Sequence, residues 1–208
     1  MRLGIMYLER TLGVGQIALE LARVLADKVD VTCYLVANNP YLDEFKALPC
    51  AVRTFQMRRG YAALAIAMLR GREDSGLARA IDEDEPDILL DTGSGWWRGV
   101  IERQISRKLT IAEVVLDVTP HPGLMGFLER VHHVVYPSVA DIVIGLSNYS
   151  FNQLARKYPR KARMEMRRGV LMPNANVDID SVAAKRNRFL CFGRIEPYKG
   201  IDVLAEAY

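Results

Sequence analysis

The sequence predicts an α/β fold with a doubly wound, mostly parallel sheet. Two observations support this prediction. Short β-rich runs alternate with helical segments along the chain, which is typical of βαβ units. Runs such as DIVIGL are apolar throughout, as expected of strands that helices cover on both faces of a sheet. This rhythm stops near residue 175 and restarts at RFLCFGRI, so a second unit is expected to begin there.

Seven strands connected by helices are predicted in chain order. The strands are RLGIMYL, VDVTCYLV, AVRTFQM, DILLDT, IAEVVLDVTP, DIVIGL and GVLMPN. Helices are predicted over GQIALELARVLAD, over residues 60–83 with breaks at Gly71 and near Gly76, over WRGVIERQIS, over residues 124–135 and over NYSFNQLARKY. Ser147 is predicted to cap the last of these helices, because its hydroxyl can accept an unpaired amide of the first turn.

The chain is expected to divide into three parts. Residues 1–175 form the first domain, residues 176–187 a polar linker, and residues 188–208 the first strand and helix of an incomplete second domain. A unit of about twenty residues cannot bury a core of its own. The second unit is therefore expected to need the first domain or another chain.

Composition indicates a soluble globular protein rather than a fibre, a disordered chain or a membrane protein. Hydrophobic residues make up 50% and charged residues 25%, and the net charge of +3 does not indicate nucleic acid as a partner. The three cysteines form no CxxC pair, so neither a disulfide framework nor a zinc site is expected. A cytoplasmic location is therefore predicted. The apolar run in the N-terminal MRLGIMYLER is too short for a signal peptide, and the apolar segment YAALAIAMLR is too short to span a bilayer.

Glycines follow the first predicted strand in LERTLGVGQIALEL. Gly13 and Gly15 open a helix, where unpaired backbone amides at the positive end of the helix dipole suit a phosphate group. GVGQIA also satisfies the dinucleotide pattern G-x-G-x-x-A, but the second strand ends in LVANN without the acidic residue that binds ribose. The alternative is that both glycines only make a tight turn.

Two further strand-to-helix loops contain unusual residues. In DTGSGWWRG, either Trp96 or Trp97 is expected to present a flat apolar face to a sugar or lipid, the alternative being that they fill the core. In LDVTPHPGLMG, His121 stands between two prolines at a strand end, a place that suits acid-base or hydrogen-bonding chemistry. His132 and His133 have no partner ligands in the sequence, so no metal site is expected there.

The last segment, FLCFGRIEPYKGIDVLAEAY, resembles the start of the second domain of GT-B fold glycosyltransferases, in particular the large retaining family four. Gly193, Arg194, Lys199 and Gly200 match its G-R-x-x-x-x-K-G loop. DIVIGLSNYSFNQLARKY, LMPNANVDID, EPDILLDTGSG and DVTPHPG resemble other segments of the same family. NANVD stands where Asn-Gly-Val-Asp is commoner.

The resemblance implies two Rossmann-like domains and retaining hexosyl transfer from a nucleoside diphosphate sugar, such as UDP- or GDP-hexose, to a hydroxyl. Arg194 and Lys199 would neutralise the donor diphosphate, and Gly13 and Gly15 would face the same phosphates from across the cleft. His121 would contact the transferred sugar, whereas Trp96 and Trp97 are assigned to the acceptor. Neither a metal nor another cofactor is implied. The family's paired glutamates lie downstream of the matched loop, so the chain alone is expected to have little or no activity.

Basic residues indicate where an acceptor could come from. Between residues 156 and 168 seven Lys and Arg side chains are opposed only by Glu165, and RRGYAALAIAMLRGR has basic flanks around an apolar core. The first run is expected to be a solvated surface. Together the two also favour peripheral contact with an anionic membrane, at its inner face, and an acceptor that is a sugar or is lipid-linked.

Three other functions stay open at this stage. The chain could be a binding half that pairs with a completing subunit or oligomer supplying the remaining site. An NAD-dependent oxidoreductase would use GVGQIA, although the missing acid after the second strand disfavours it. A nucleotide-sugar epimerase of the same fold is the third.

Overall fold

The computed structural model describes residues 1–10, 12–57, 60–93, 95–106, 108–115, 118, 140–166 and 200–207, without the side chains of Leu12, Tyr61 and Trp96. Seven strands form one parallel sheet: β1 (Arg2–Tyr7), β2 (Asp30–Val36), β3 (Ala51–Phe55), β4 (Ile88–Gly93), β5 (Thr110–Val115), β6 (Ile142–Gly145) and β7 (Ala162–Glu165). The predicted doubly wound α/β fold is therefore confirmed.

Helices connect the strands. They are α1 (Leu12–Ala26), α2 (Leu42–Lys46), α3 (Gly60–Arg70), α4 (Leu77–Asp84), a 3-10 turn (Gly95–Trp97) that continues into α5 (Arg98–Glu102), α6 (Asn148–Lys157) and α7 (Ile201–Ala207). The breaks predicted at Gly71 and Gly76 are confirmed, because both glycines have positive φ between α3 and α4. The Ser147 cap is also confirmed, since its Oγ accepts a hydrogen bond from the Ser150 amide at 3.1 Å.

The sheet has a covered centre and exposed edges. Its strand order is β3-β2-β1-β4-β5-β6-β7, so β1 and β4 lie inside while β3 and β7 are the edges. One core cluster centres on Ile5 and Tyr7 beneath α1, and a second on Met6 and Leu89 beneath α4 and α5. Consecutive β1 side chains enter opposite clusters, because side chains alternate between the two faces of a strand.

The edge strand β7 was not predicted. It lies inside the basic run that the sequence indicated as solvated surface, and three of its four residues are exposed. An edge strand gains pairing on one side only and is commonly protected by charged side chains, so it lacks the apolar pattern of β6. The strand predicted at GVLMPN lies outside the described residues, as does the helix predicted at 124–135.

Residues 188–208 are described only at Gly200 and α7. None of the α7 residues is buried, and the side chains of Val203 and Leu204 are exposed. The strand predicted at RFLCFGRI and the linker at 176–187 lie outside the described residues. The proposed division into domains stays a prediction.

Candidate functional site

The strand order creates a crevice between β1 and β4. From β1 the chain first moves outward through β2 to β3, and it then returns to β4 on the other side of β1 and continues outward. The loops that leave β1 and β4 therefore run to opposite sides of the sheet. Ligands of open α/β sheets bind outside the carboxyl ends of strands at such a reversal point.

Hydrogen bonds hold the loops of β1 and β4 together at this edge. The amides of Leu8 and Glu9 both donate to the Gly93 carbonyl at 3.0 Å. A Cβ atom at Gly93 would lie 2.9 Å from Cγ1 of Val14 and 3.2 Å from Cδ2 of Tyr7. Glycine is therefore required where the end of β4 passes beneath the first turn of α1.

The two glycines of the first loop have different environments. Both lie in the first turn of α1, as predicted, although α1 begins at Leu12 rather than at Gly15. Gly13 is its second residue, and a Cβ there would have nothing within 4 Å. A Cβ at Gly15 would lie 2.9 Å from both Tyr41 Cδ2 and Tyr7 Oη. Gly13 thus leaves open space beside the first-turn amides, whereas Gly15 allows the helix to contact two tyrosines.

Glu9 is a residue of this edge that the sequence analysis missed. It follows β1, and its Oε1 would lie 3.1 Å from a Cβ at Gly95, whose φ is +55°. The glycine therefore provides both the left-handed turn after β4 and room for the carboxylate. The available sequence signal was an acidic residue two positions beyond an apolar strand end.

Trp97 packs in the core and also lines a cavity, whereas its predicted contact with a sugar or lipid stays a prediction. It packs against two core clusters, beside Leu64 and Val100 in one of them. It also lines a cavity of about 230 Å³ together with Gln56, which follows β3, and residues of α3 and the α3–α4 connection. The structure describes the Trp96 backbone in the 3-10 turn but not its side chain, so only Trp97 can be placed.

One side of this cavity is polar. The Glu73 Oε2 atom accepts a hydrogen bond from the Ser75 amide at 2.7 Å. Its Oε1 atom is buried and has no hydrogen-bond partner among the described residues. A buried carboxylate oxygen is normally satisfied by a donor, so a hydroxyl or water entering the cavity would stabilise it.

A buried charge network lies beneath the edge, and sequence reasoning missed it. Arg98, only 1% exposed, begins α5 and donates to Glu113 Oε2 at 2.5 Å and to Glu102. Its Nε lies 3.8 Å from Asp91 Oδ2, and Asp91 on β4 pairs in register with Glu113 on β5. The signal was present, because these two acids interrupt strands that are otherwise apolar.

Among the described residues, three carboxylates surround the one guanidinium of Arg98. Burial raises the pKa of Glu113 to about 7, although the charge of Arg98 acts to lower it and that of Asp91 to raise it. Burial likewise raises the pKa of Glu102 against the opposing effect of Arg98. Glu113 is therefore expected to change protonation near neutral pH.

This shift predicts that stability falls as the pH rises. Because the pKa of Glu113 is higher in the folded chain than its ordinary 4.5, the folded state holds a proton that the unfolded state has lost. The stabilisation is complete below the ordinary pKa and is lost through the folded pKa near 7. Between about pH 4.5 and pH 8, the free energy of unfolding of the parent should fall by about 1–3 kcal/mol relative to that of Glu113→Gln. Urea unfolding at both pH values measures this change. A pH-independent difference between the two proteins would contradict this.

Three predicted site residues cannot be placed. His121, Arg194 and Lys199 lie outside the described residues. Within the described part of the chain, no group of three or more His, Cys, Asp or Glu side chains is arranged to hold a metal ion. No helix among the described segments is long and apolar enough to cross a bilayer.

Comparison with known proteins gives likenesses in structure only. No protein-family model and no curated protein matches the chain. Among solved structures, it is similar to HepE from Anabaena in complex with UDP-glucose, with TM-score 0.56, 12% identity and coverage of 81% of this chain and 44% of that one. A putative UDP-N-acetylglucosamine 2-epimerase from Listeria monocytogenes gives TM-score 0.53, 14% identity and coverage of 76% and 41%.

A third similar structure is UGT73P12 from Glycyrrhiza uralensis in complex with glycyrrhetinic acid 3-O-monoglucuronide. Its TM-score is 0.51, its identity 10%, and the coverage is 82% of this chain and 49% of that one. The chain therefore spans less than half the length of these structures. At such low identity the likeness shows the fold alone, which is the Rossmann-like α/β fold of GT-B proteins.

Proposed function

We propose that this chain is the acceptor-side domain of a family-four-like GT-B glycosyltransferase, which transfers a hexosyl group with retention from a nucleoside diphosphate sugar to a hydroxyl. The observation that supports this best is the crevice between β1 and β4. There a Cβ at Gly13 would meet nothing within 4 Å, so no side chain of this residue stands beside the first turn of α1 at the carboxyl edge of the sheet. That arrangement suits a diphosphate.

The donor diphosphate would lie against the first turn of α1. The positive end of the helix dipole at Gly13 favours a doubly charged group. The resemblance assigns Arg194 and Lys199 to the opposite side of the diphosphate, where fixed cations would stabilise the nucleoside diphosphate as it leaves. The carboxylate of Glu9, beside Gly95, would repel a phosphate and instead suits a hydroxyl of the donor sugar. His121 is proposed to contact the transferred sugar.

The acceptor would bind in the cavity beside Trp97. The indole offers an apolar face to a sugar ring or lipid, and the buried Glu73 Oε1 offers an acceptor for a hydroxyl. Gln56 adds an amide that can donate or accept. These groups favour a polyhydroxylated acceptor.

Binding of a nucleoside diphosphate sugar tests the donor part of the proposal. Gly13→Asp is expected to weaken UDP-glucose binding at least about ten-fold, because a carboxylate would face the diphosphate. An aspartate in a first helical turn favours the helix, so the loss should not come from unfolding. Isothermal titration calorimetry or equilibrium dialysis would measure the affinity, with GDP-glucose as a second probe.

Tyr149→Asp is the matched control for this experiment. Tyr149 is exposed and is the second residue of α6, as Gly13 is of α1, but it follows β6, three strands away from β1. It should leave the affinity unchanged. Equal losses in the two variants, or the absence of binding of either probe to the parent, would contradict the proposed donor site.

A nucleotide-sugar epimerase is a second candidate, since one of the similar structures is described as a UDP-N-acetylglucosamine 2-epimerase. Product analysis distinguishes the two reactions. An epimerase changes the sugar of UDP-N-acetylglucosamine in the absence of an acceptor. A transferase requires an acceptor hydroxyl to form its glycoside, and this requirement should hold for the complete enzyme.

A further inference from the structure

Two cysteine thiols lie next to each other at the β3 edge of the sheet. The Sγ atoms of Cys33 and Cys50 are 3.9 Å apart, and both thiols are free. A disulfide bond is about 2.0 Å long, so the two sulfur atoms must approach by about 1.9 Å to form one. This pair was not predicted from the sequence, because 17 positions separate the two residues.

The two cysteines differ in how far they can move. Cys33 is fully buried in β2, in register with Ile5 on one side and Val52 on the other. Cys50 is partly exposed in the turn before β3, where its amide donates to the Leu48 carbonyl at 2.8 Å. A turn that precedes an edge strand can shift without opening the centre of the sheet. Closure would therefore occur mainly by movement of Cys50.

The pair also differs in acidity. A hydrogen bond from Cys33 lowers the pKa of Cys50, whereas that same interaction and burial raise the pKa of Cys33. Cys50 is therefore the thiol that ionises first, and it is also the more accessible of the two. A thiolate rather than a thiol attacks disulfides, so Cys50 is the expected nucleophile.

We propose that Cys33 and Cys50 form a redox-active dithiol, which closes to an intramolecular disulfide by exchange with a low-molecular-mass disulfide such as oxidised glutathione. In the first step the Cys50 thiolate attacks one glutathione sulfur, a mixed disulfide forms, and one glutathione thiolate leaves. In the second step Cys33 Sγ attacks Cys50 Sγ, the bond between Cys50 and glutathione breaks, and the proton of Cys33 passes to the departing glutathione, which leaves as a thiol. Two protein thiols are oxidised, and one glutathione disulfide is reduced to two thiols.

Formation of the mixed disulfide assists the second step. Once Cys50 is bonded to glutathione it bears no charge, so the increase in the pKa of Cys33 that arises from the Cys50 thiolate disappears. The product would join the turn before β3 to the centre of β2. Because β3 pairs only with β2 among the described strands, this bond would hold the edge strand on the sheet.

Mass spectrometry of the native chain tests this proposal. After incubation with excess oxidised glutathione and no denaturant, the chain is expected to lose about 2 Da, reversibly with dithiothreitol. A non-reducing digest should link the Cys33 peptide to the Cys50 peptide. Cys33→Ser should retain one glutathione at Cys50, because the second attack is absent.

Cys191→Ser is the matched control, since it removes the third thiol. It should form the Cys33–Cys50 bridge as readily as the parent. Loss of the bridge in this variant would identify Cys191 as the partner and overturn the proposal. Glutathione that remains on Cys50 of the parent, or thiols that all stay free, would overturn it as well. None of these outcomes depends on donor binding, so they test the dithiol separately from the proposed function.

Discussion

Arg98→Met is expected to lower the free energy of unfolding by about 3–5 kcal/mol, because it leaves buried carboxylates without their cation. Asp91, Glu102 and Glu113 all lie near the guanidinium, and Arg98 itself is almost completely buried. Methionine retains much of the volume of the arginine side chain. The loss of stability would therefore come from removal of the positive charge rather than from a new cavity. Urea denaturation followed by circular dichroism measures it.

Arg23→Met is the control for removing an arginine. Arg23 pairs with Glu20 one turn earlier on α1, but the two side chains are 45% and 30% exposed. Its removal should change stability by about 0.5 kcal/mol at most. The penalty of Arg98→Met should also decrease toward acid pH, since protonation removes the charge of the carboxylates. A loss no larger than that of Arg23→Met would show that the network does not contribute to stability.

Gly145→Ala is expected to destabilise the chain by about 2–3 kcal/mol. Gly145 ends β6, directly beneath the first turn of α6. A Cβ there would lie 2.7 Å from the backbone nitrogen of Phe151 and 3.1 Å from the carbonyl carbon of Ser150. Both atoms belong to the backbone, so neither can rotate away, and α6 must shift from the sheet. Thermal or urea unfolding measures the loss.

Gly13→Ala provides the contrast within the same class of substitution. A Cβ there meets nothing within 4 Å, and alanine is the better helix former, so stability should stay equal or rise by about 0.5–1 kcal/mol. Equal stability of Gly145→Ala and the parent would contradict the close contact between β6 and α6.

The positions of the first six strands along the chain could be predicted from local sequence. Strands such as β1 and β6 are apolar because their residues are buried on both faces, and this pattern is readable from a single sequence. The edge strand β7 could not be found in this way, since its charged residues face solvent. The start of α1 was also missed, because glycine disfavours a helix locally whereas packing against Tyr7 and Tyr41 determines where α1 lies.

The candidate site was predictable only in part. The loops after β1 and β4 were found because glycines and tryptophans follow apolar strands. The different roles of Gly13 and Gly15 could be assigned only from their surroundings in the structure. These surroundings include Tyr41, a residue distant in sequence. The pairing of Asp91 with Glu113 likewise depends on strand register, which one sequence does not give. The roles of His121, Arg194 and Lys199 stay predictions.

A crystal structure of the chain with UDP-glucose would show whether the donor binds at the carboxyl edge between β1 and β4. We expect the diphosphate to lie against the first turn of α1 at Gly13, with the sugar directed toward Glu9 and Gly95. Changes in the NMR chemical shifts of the Gly13 and Gly95 amides on titration with UDP-glucose would confirm that the site is occupied in solution. A diphosphate bound elsewhere, for example in the cavity beside Trp97 and Glu73, would contradict it.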